Sequence, residues 1–200
     1  IEILKNNVQY FIKSPMDDEY IYYTIRNIIR LMTSNRKVSP LTGLPGNIQI
    51  QVELKKRLLK KEEFAILYFD LDNFKNVNDC YGHIEGDRIL IETVSILKAV
   101  AKKDDMVVRF GGDEFAIIVN NATFEKMHAI ANEVLEAFRL KKNGKDEVWH
   151  LLSISVGGAL QQEEDETEVT LFMRADQALY QSKNNGKGCY TASNLLDENS

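Results

Sequence analysis

The chain is poor in cysteine and proline, with 2 Cys and 3 Pro among 200 residues. Cys80 and Cys189 lie far apart, which makes neither a disulfide framework nor a zinc pattern. Such usage suits a reduced, cytoplasmic protein with two incidental thiols. No apolar run approaches the ~18 residues that a membrane-spanning helix needs, so no direct membrane contact is expected. The most apolar stretch, Phe64 to Phe69, has the length of a buried strand. No signal-peptide pattern opens the chain. Its first residue is Ile rather than Met, as expected of a piece excised from a longer protein. Positive charge is also short, the net charge being −5. An acidic chain is ill suited to gripping nucleic-acid phosphates. A single nucleotide stays open as a partner, because a metal ion can carry the positive charge it needs.

What is present is a composition 44% hydrophobic and 28% charged, that of a globular domain with an appendage. Residues 1–38 differ from the rest. Asp17-Asp18-Glu19 is an acidic helix start, and Ile21, Ile25, Ile28 and Met32 then recur at spacings of 4, 3 and 4. That stripe fits a seam against a partner helix or the core-facing side of an ordinary helix, and under two heptads cannot choose. Ser39-Pro40 and Leu44-Pro45-Gly46 break the helix and set a boundary near residue 38. Asn47 is placed to cap a helix reaching about Lys61. Phe64 to Asp70 reads as a strand, followed by a loop or short helix and a helix from about Glu85 to Lys102. Met106 to Phe110 and Glu114 to Val119 are strands joined at Gly111-Gly112. Thr123 to Leu140 is an amphipathic helix, and Trp149 to Ala159 a strand. Thr167 to Lys183 is a helix stopped by Asn184-Asn185-Gly186, and Gly188 to Thr191 a last short strand. A loose tail over 193–200 completes the chain. Helices interleaved with strands, one pair of them a hairpin, predict an α/β (α+β) fold with a mixed sheet of about five strands.

Chemistry concentrates in two places. Phe69-Asp70-Leu71-Asp72 ends an otherwise apolar strand, where a carboxylate is costly unless something pairs with it. Gly111-Gly112-Asp113-Glu114-Phe115 occupies the hairpin turn, where two glycines let backbone and ligand approach closely. A Gly-Gly-Asp-Glu turn alone is an ordinary polar hairpin tip. Combined with the acidic strand end, it brings three or four carboxylates to one edge, where like charges repel and a divalent cation is the natural remedy. All-oxygen ligation suits Mg²⁺ or Mn²⁺.

Residues 39–192 resemble the GGDEF domain of the diguanylate cyclase family. The likeness is carried by Leu41-Thr42-Gly43-Leu44-Pro45, Asp70-Leu71-Asp72-Asn73-Phe74-Lys75, Asn78-Asp79, Tyr81-Gly82-His83, Gly86-Asp87, Gly111 to Phe115, Ser155-Val156-Gly157, and Ala175 to Tyr180 followed by Lys183. The resemblance implies a palm-like fold shared with nucleotidyl cyclases and polymerases. It implies GTP as substrate, Mg²⁺ as cofactor and a homodimer as the catalytic unit. By the same resemblance Asp70, the Leu71 carbonyl and Asp113 hold metal, and Asp113 or Glu114 helps to activate the ribose hydroxyl. Asn78 and Asp87 read guanine, and His83 falls at a further substrate position. Phe74, Lys75, Gly111, Gly112, Lys183 and Lys187 belong to the substrate-binding set. Taken singly, Asn78 reads equally as a turn former, and Asp87 and Lys183 as helix-end charges.

The sequence departs from the family pattern in three ways. Lys187 stands where the family usually has Arg, and keeps the charge without the planar fork. Lys102 and Asp105 occupy an inhibitory product site whose Arg is replaced by Lys102, from which weak or absent product inhibition is expected. Gly46 follows Leu44-Pro45 where an Asn is usual. Upstream, Phe11-Ile12-Lys13-Ser14-Pro15 and the helix behind it resemble the end of a response-regulator receiver domain. Two other functions compete with the cyclase: a silent GTP-binding signalling module, and a relaxed cyclase making a mixed GMP–AMP dinucleotide.

Overall fold

The computed structural model describes residues 38–161 and 167–193, together with residues 21, 22 and 25. Ile21, Tyr22 and Ile25 are helical. Ile28 and Met32 of the N-terminal stripe, the receiver-like segment Phe11 to Pro15, and residues 194–200 lie outside the described residues.

Among the described residues from 38 onward, five α-helices and five strands follow in chain order: α1 Asn47–Leu59, β1 Phe64–Asp72, α2 Phe74–Tyr81, α3 His83–Val100, β2 Met106–Gly111, β3 Glu114–Asn120, α4 Phe124–Lys142, β4 Ser153–Leu160, α5 Glu168–Asn184 and β5 Tyr190–Ser193. The strands form one sheet in the order β2-β3-β1-β4-β5, antiparallel except for the parallel β4–β5 pair. The expected mixed five-stranded α+β sheet with a β-hairpin is what is found, and the hairpin, β2–β3, lies at the sheet's edge.

Strand β1 is central, and its alternation organises the molecule. Ala65, Leu67, Phe69 and Leu71 join a core beneath α2, α3 and α4. Phe64, Ile66 and Tyr68 join a second core beneath α1 and α5. Both faces of the strand are therefore covered, which is why Phe64 to Phe69 reads as a continuous apolar run. Each such side chain fully removed from water contributes about 1.5–3 kcal/mol. The period of two then carries Asp70 and Asp72 onto the α5 side. Helix α5 lies hard against β4. A Cβ at Gly157 would fall 2.2 Å from both the Ala175 carbonyl oxygen and the Leu179 amide, and Ser182 Oγ donates to the Val156 carbonyl at 2.7 Å. This close contact sets where the last turn of α5 ends.

Several local expectations are corrected. Gly46, not Asn47, is the N-cap of α1, and the Gln49 side chain accepts from the Gly46 amide at 3.3 Å. The strand expected from Trp149 begins only at Ser153, because Glu147–Leu151 is a 3₁₀ turn. Trp149 is fully buried there, edge-on to Phe138 at 5.3 Å and beneath the Lys141 ammonium. Of the loop or short helix expected after β1, the structure has the helix, α2, and α3 starts at His83 rather than Glu85. Strand β5 reaches Ser193, where the sequence had placed the tail.

Candidate active site

The register of β1 with β3 places Asp70 directly opposite Glu114. Both side chains continue the face of Tyr68 and Ala116, and Glu114 is buried. Like charges facing each other across a ladder are unfavourable. Asp113 adjoins them in the turn, its carbonyl accepting from the Leu71 amide at 3.2 Å. That bond ties the hairpin tip to the end of β1. The Leu71 carbonyl lies on the same edge of its strand as its amide.

The last turn of α5 brings a cation to this edge. Lys183 Nζ lies 2.8 Å from Asp70 Oδ2. Burial, reinforced by Asp113 and Glu114, pushes the Asp70 carboxyl up to about 7, against the pull of Lys183. Burial would lower the Lys183 ammonium, but Asp70, Asp72 and Glu114 keep it above the ordinary lysine value. The edge is thus deficient in positive charge even with Lys183 present. Its donors are oxygens, and they suit a hard divalent cation. Among the described residues no three His, Cys, Asp or Glu side chains stand together as a ready-made metal cage. A cation here would complete its shell with the Leu71 carbonyl and oxygens of a ligand. Of the two strand-end carboxylates, one is engaged elsewhere. Asp72 is turned away, accepting from Ser153 Oγ at 2.7 Å and from Ser155 Oγ at 2.8 Å.

The remaining predicted residues surround this edge. Phe74 is a core side chain, so only its backbone is available to a ligand, whereas Lys75 is exposed in the first turn of α2. First-turn amides are natural anion donors. Lys187 Nζ donates to Asn73 Oδ1 at 3.2 Å, beside that same turn. His83 and Asp87 stand exposed at the start of α3. Asn78 projects from α2 into space left by Gly86 of α3, where a Cβ would fall 2.1 Å from Asn78 Oδ1. Lys102 and Asp105 lie elsewhere, before β2 and at the opposite end of the hairpin ladder. The Asp105 carboxylate is engaged by the backbone amides of Lys102 and Asn120, each at 2.8 Å.

Gly86→Ala is expected to keep the fold, because helical Ala is favoured over Gly, the Asn78 side chain can swing aside and the Phe74 ring, 3.3 Å from the new Cβ, need give only by a few tenths of an ångström. With Asn78 displaced, any ligand that Asn78 contacts is expected to bind roughly 3- to 10-fold more weakly, the worth of one hydrogen bond. Steady-state kinetics with thermal unfolding checks both halves.

Sequence reasoning missed Arg109. Its Nη2 and Nε donate to the Gly112 carbonyl at 2.7 and 3.2 Å, and its Nη1 to Ser39 Oγ at 3.2 Å. Its amide donates to the Pro45 carbonyl at 3.0 Å. The hairpin tip is therefore pinned to the Ser39–Pro45 entry turn. The available signal was a lone guanidinium within the apolar run Met106 to Phe110.

Comparison with known proteins agrees with this architecture. Residues 37–189 match the family described as diguanylate cyclase, GGDEF domain. Diguanylate cyclase A of Treponema denticola is 37% identical over 134 residues, covering 67% of this chain and 36% of that protein. The cyclic di-GMP phosphodiesterase PdeR of Escherichia coli is 34% identical over 151 residues, covering 74% of this chain and 22% of that protein. The GGDEF domain of DgcB from Caulobacter crescentus, solved with c-di-GMP, superimposes with a TM-score of 0.70 at 24% identity. That alignment covers 80% of this chain and 97% of the solved one, and it shows a shared fold. The chain belongs to the diguanylate cyclase GGDEF family. It spans well under half the length of the curated relatives it matches.

Proposed function

We propose that the chain is a diguanylate cyclase that joins two GTP molecules into cyclic di-GMP, releasing two pyrophosphates. The observation that carries this reading is the edge where Asp70 faces Glu114, with Asp113 in the adjoining turn and Lys183 against Asp70. A silent binding module has no physical need for opposed, partly buried carboxylates. Identity to PdeR as well as to diguanylate cyclase A means that family membership alone does not decide the activity, so the reading rests on this edge.

In the proposed mechanism Asp70, the Leu71 carbonyl and Asp113 would hold Mg²⁺, or Mn²⁺ in its place. Bound there, the metal supplies Lewis acidity at the α-phosphate and lowers the pKa of the ribose 3′-hydroxyl. Asp113 or Glu114 takes up the hydroxyl proton. Lys183, Lys187 and the first-turn amides of α2 bind the triphosphate, with Lys75 beside them. Gly111 and Gly112 let the nucleotide approach the hairpin. Asn78 and Asp87 orient guanine, since a carboxylate accepts from its ring N–H and exocyclic amine, and His83 lies at the rim. One site holds one GTP, so two chains meet face to face. Each 3′-oxygen attacks the other nucleotide's α-phosphorus, and pyrophosphate leaves. The N-terminal helix of Ile21 and Ile25 is a candidate for bringing the two copies together.

The deciding assay is incubation of the purified chain with Mg²⁺ and equal GTP and ATP, with products separated and weighed by mass spectrometry. Cyclic di-GMP as the dominant product is expected. A mixed GMP–AMP dinucleotide in quantity would overturn the guanine assignment of Asp87. GTP binding without turnover, at every protein concentration, would leave the silent module. Adding cyclic di-GMP to the same reaction is expected to inhibit it weakly, given Lys102 and the engaged carboxylate of Asp105.

A further inference from the structure

Asp72 shares the face of Asp70 but serves a different purpose. It is 3% exposed, and among the described residues the hydrogen bonds to its carboxylate come from β4 and from the loop between α5 and β5. Ser153 Oγ donates to Oδ2 at 2.7 Å, Ser155 Oγ is shared between the two oxygens at 2.8 and 2.9 Å, and the Gly188 amide donates to Oδ2 at 3.1 Å. The same amide lies 3.2 Å from Ser155 Oγ. A buried carboxylate is tolerated with donors of this number, and each charge-assisted bond is strong.

The loop it grips is strained. Gly186, Lys187 and Gly188 are consecutive left-handed residues, with φ of 105°, 65° and 60°. Lys187 has a Cβ and no short polar side chain to favour that region. Such a conformation persists only where the surroundings over-determine it. Asp72 and Ser155 hold the loop from one side, and the Lys187 amide donates to the Ser182 carbonyl at 3.1 Å from the other. Held this way, the loop carries the Lys187 ammonium to Asn73 Oδ1, at the turn that opens α2. Asn73 is itself left-handed, with φ of 62°. A lysine has a flexible stem and no fork, so its aim depends on the backbone beneath it.

We propose that Asp72 is a positioning residue for triphosphate binding, locking the Gly186–Gly188 loop so that Lys187 presents its charge beside the first turn of α2. This rests on the GTP reading above. It also separates the two aspartates of β1, Asp70 facing the carboxylate edge and Asp72 serving the phosphate grip.

The test uses the whole chain, with Asp72→Asn, Lys187→Ala and the double variant. Asn keeps the shape and one acceptor of Asp. Amide hydrogen exchange at residues 186–189 is measured first, without nucleotide. Binding of a non-hydrolysable GTP analogue with Mg²⁺ and steady-state kinetics follow. In Asp72→Asn the Gly188 amide is expected to exchange at least about tenfold faster, and KM to rise about 5- to 10-fold with little change in kcat, the loss of one charge-assisted contact. The double variant is expected to bind no more weakly than Lys187→Ala alone. Faster exchange with unchanged nucleotide affinity would reduce Asp72 to a structural anchor and overturn the proposal. A fall in kcat that raised Mg²⁺ relieves would make it a metal ligand, with the same consequence. Should Asp72→Asn fail to fold, Ser155→Ala weakens the same grip and is expected to move exchange and KM in the same direction. A native chain that binds no GTP analogue would overturn both this inference and the cyclase reading. Variants that behave like the native chain while it turns over GTP would overturn this inference alone.

Discussion

Asp113→Ala combined with Glu114→Ala is expected to stop cyclic di-GMP formation while leaving the fold intact. In the proposed mechanism the two side chains supply a metal ligand and the candidate bases at the tip of the β2–β3 hairpin. Losing them removes several kcal/mol of transition-state stabilisation, a fall of about 10³-fold or more in rate. The fold should not suffer. Glu114 is 5% exposed and directly faces Asp70, so its removal relieves a like-charge pair. The Asp113 contact that matters to the hairpin comes from its backbone carbonyl and survives the change. The expected result is a variant at least as resistant to denaturant as the native chain, with no product on chromatography. Product formed at the native rate would move the chemistry away from the hairpin.

Asp70→Asn is expected to separate activity from stability in the same direction. Burial is the main cause of the rise of the Asp70 carboxyl from its ordinary 3.8 to about 7. A group whose folded value is raised contributes stability that is fully present below the unfolded value and is lost as pH rises through the folded one. For Asp70 that loss runs from about pH 4 to about pH 7. Asn mimics the neutral form at every pH, so the variant should lack this slope and exceed the native chain in stability at pH 8. Activity should fall by about 10²-fold or more, because Asn is a poor metal ligand. In the native chain Asp70 must lose its proton to bind metal, so less Mg²⁺ should suffice for half-maximal rate as pH rises through 7. Denaturant unfolding of both proteins at pH 5 and pH 8, with Mg²⁺ titrations of the native enzyme, checks these outcomes. Equal slopes in the two proteins would show that burial does not raise the Asp70 carboxyl.

The elements that the sequence revealed best are those with strong local chemistry. The apolar run ending at Asp70 is β1, and Thr123 and Thr167 cap α4 and α5, their hydroxyls accepting from the amides of Lys126 and Thr170. The 3₁₀ turn around Trp149 escaped notice because an apolar, aromatic segment reads the same in a strand as beneath a helix. The stretch after β1 was left open between a loop and a short helix because Asn73-Phe74-Lys75-Asn76 is as good a turn as a helix start, and the structure makes it helix α2.

At the site, alternation along β1 is a local property, and it was enough to place Asp70 and Asp72 on one face. Which of them meets a cation is not local. Ser153 and Ser155 lie more than 80 positions beyond Asp72 in the chain, and their hydroxyls meet it only through the β1–β4 register. Arg109 likewise joins the hairpin to Ser39, 70 positions away.

The sequence by itself pointed to the kind of chemistry, because carboxylates at the end of an apolar strand need a partner and a glycine turn lets a ligand approach closely. Only the tertiary structure decided which carboxylate does which task. Opposition of Asp70 to Glu114, capture of Asp72 by β4, and delivery of Lys183 and Lys187 all depend on strand register and on the close packing of α5 against β4. Those are long-range contacts, whose free energy depends on the whole sheet being assembled.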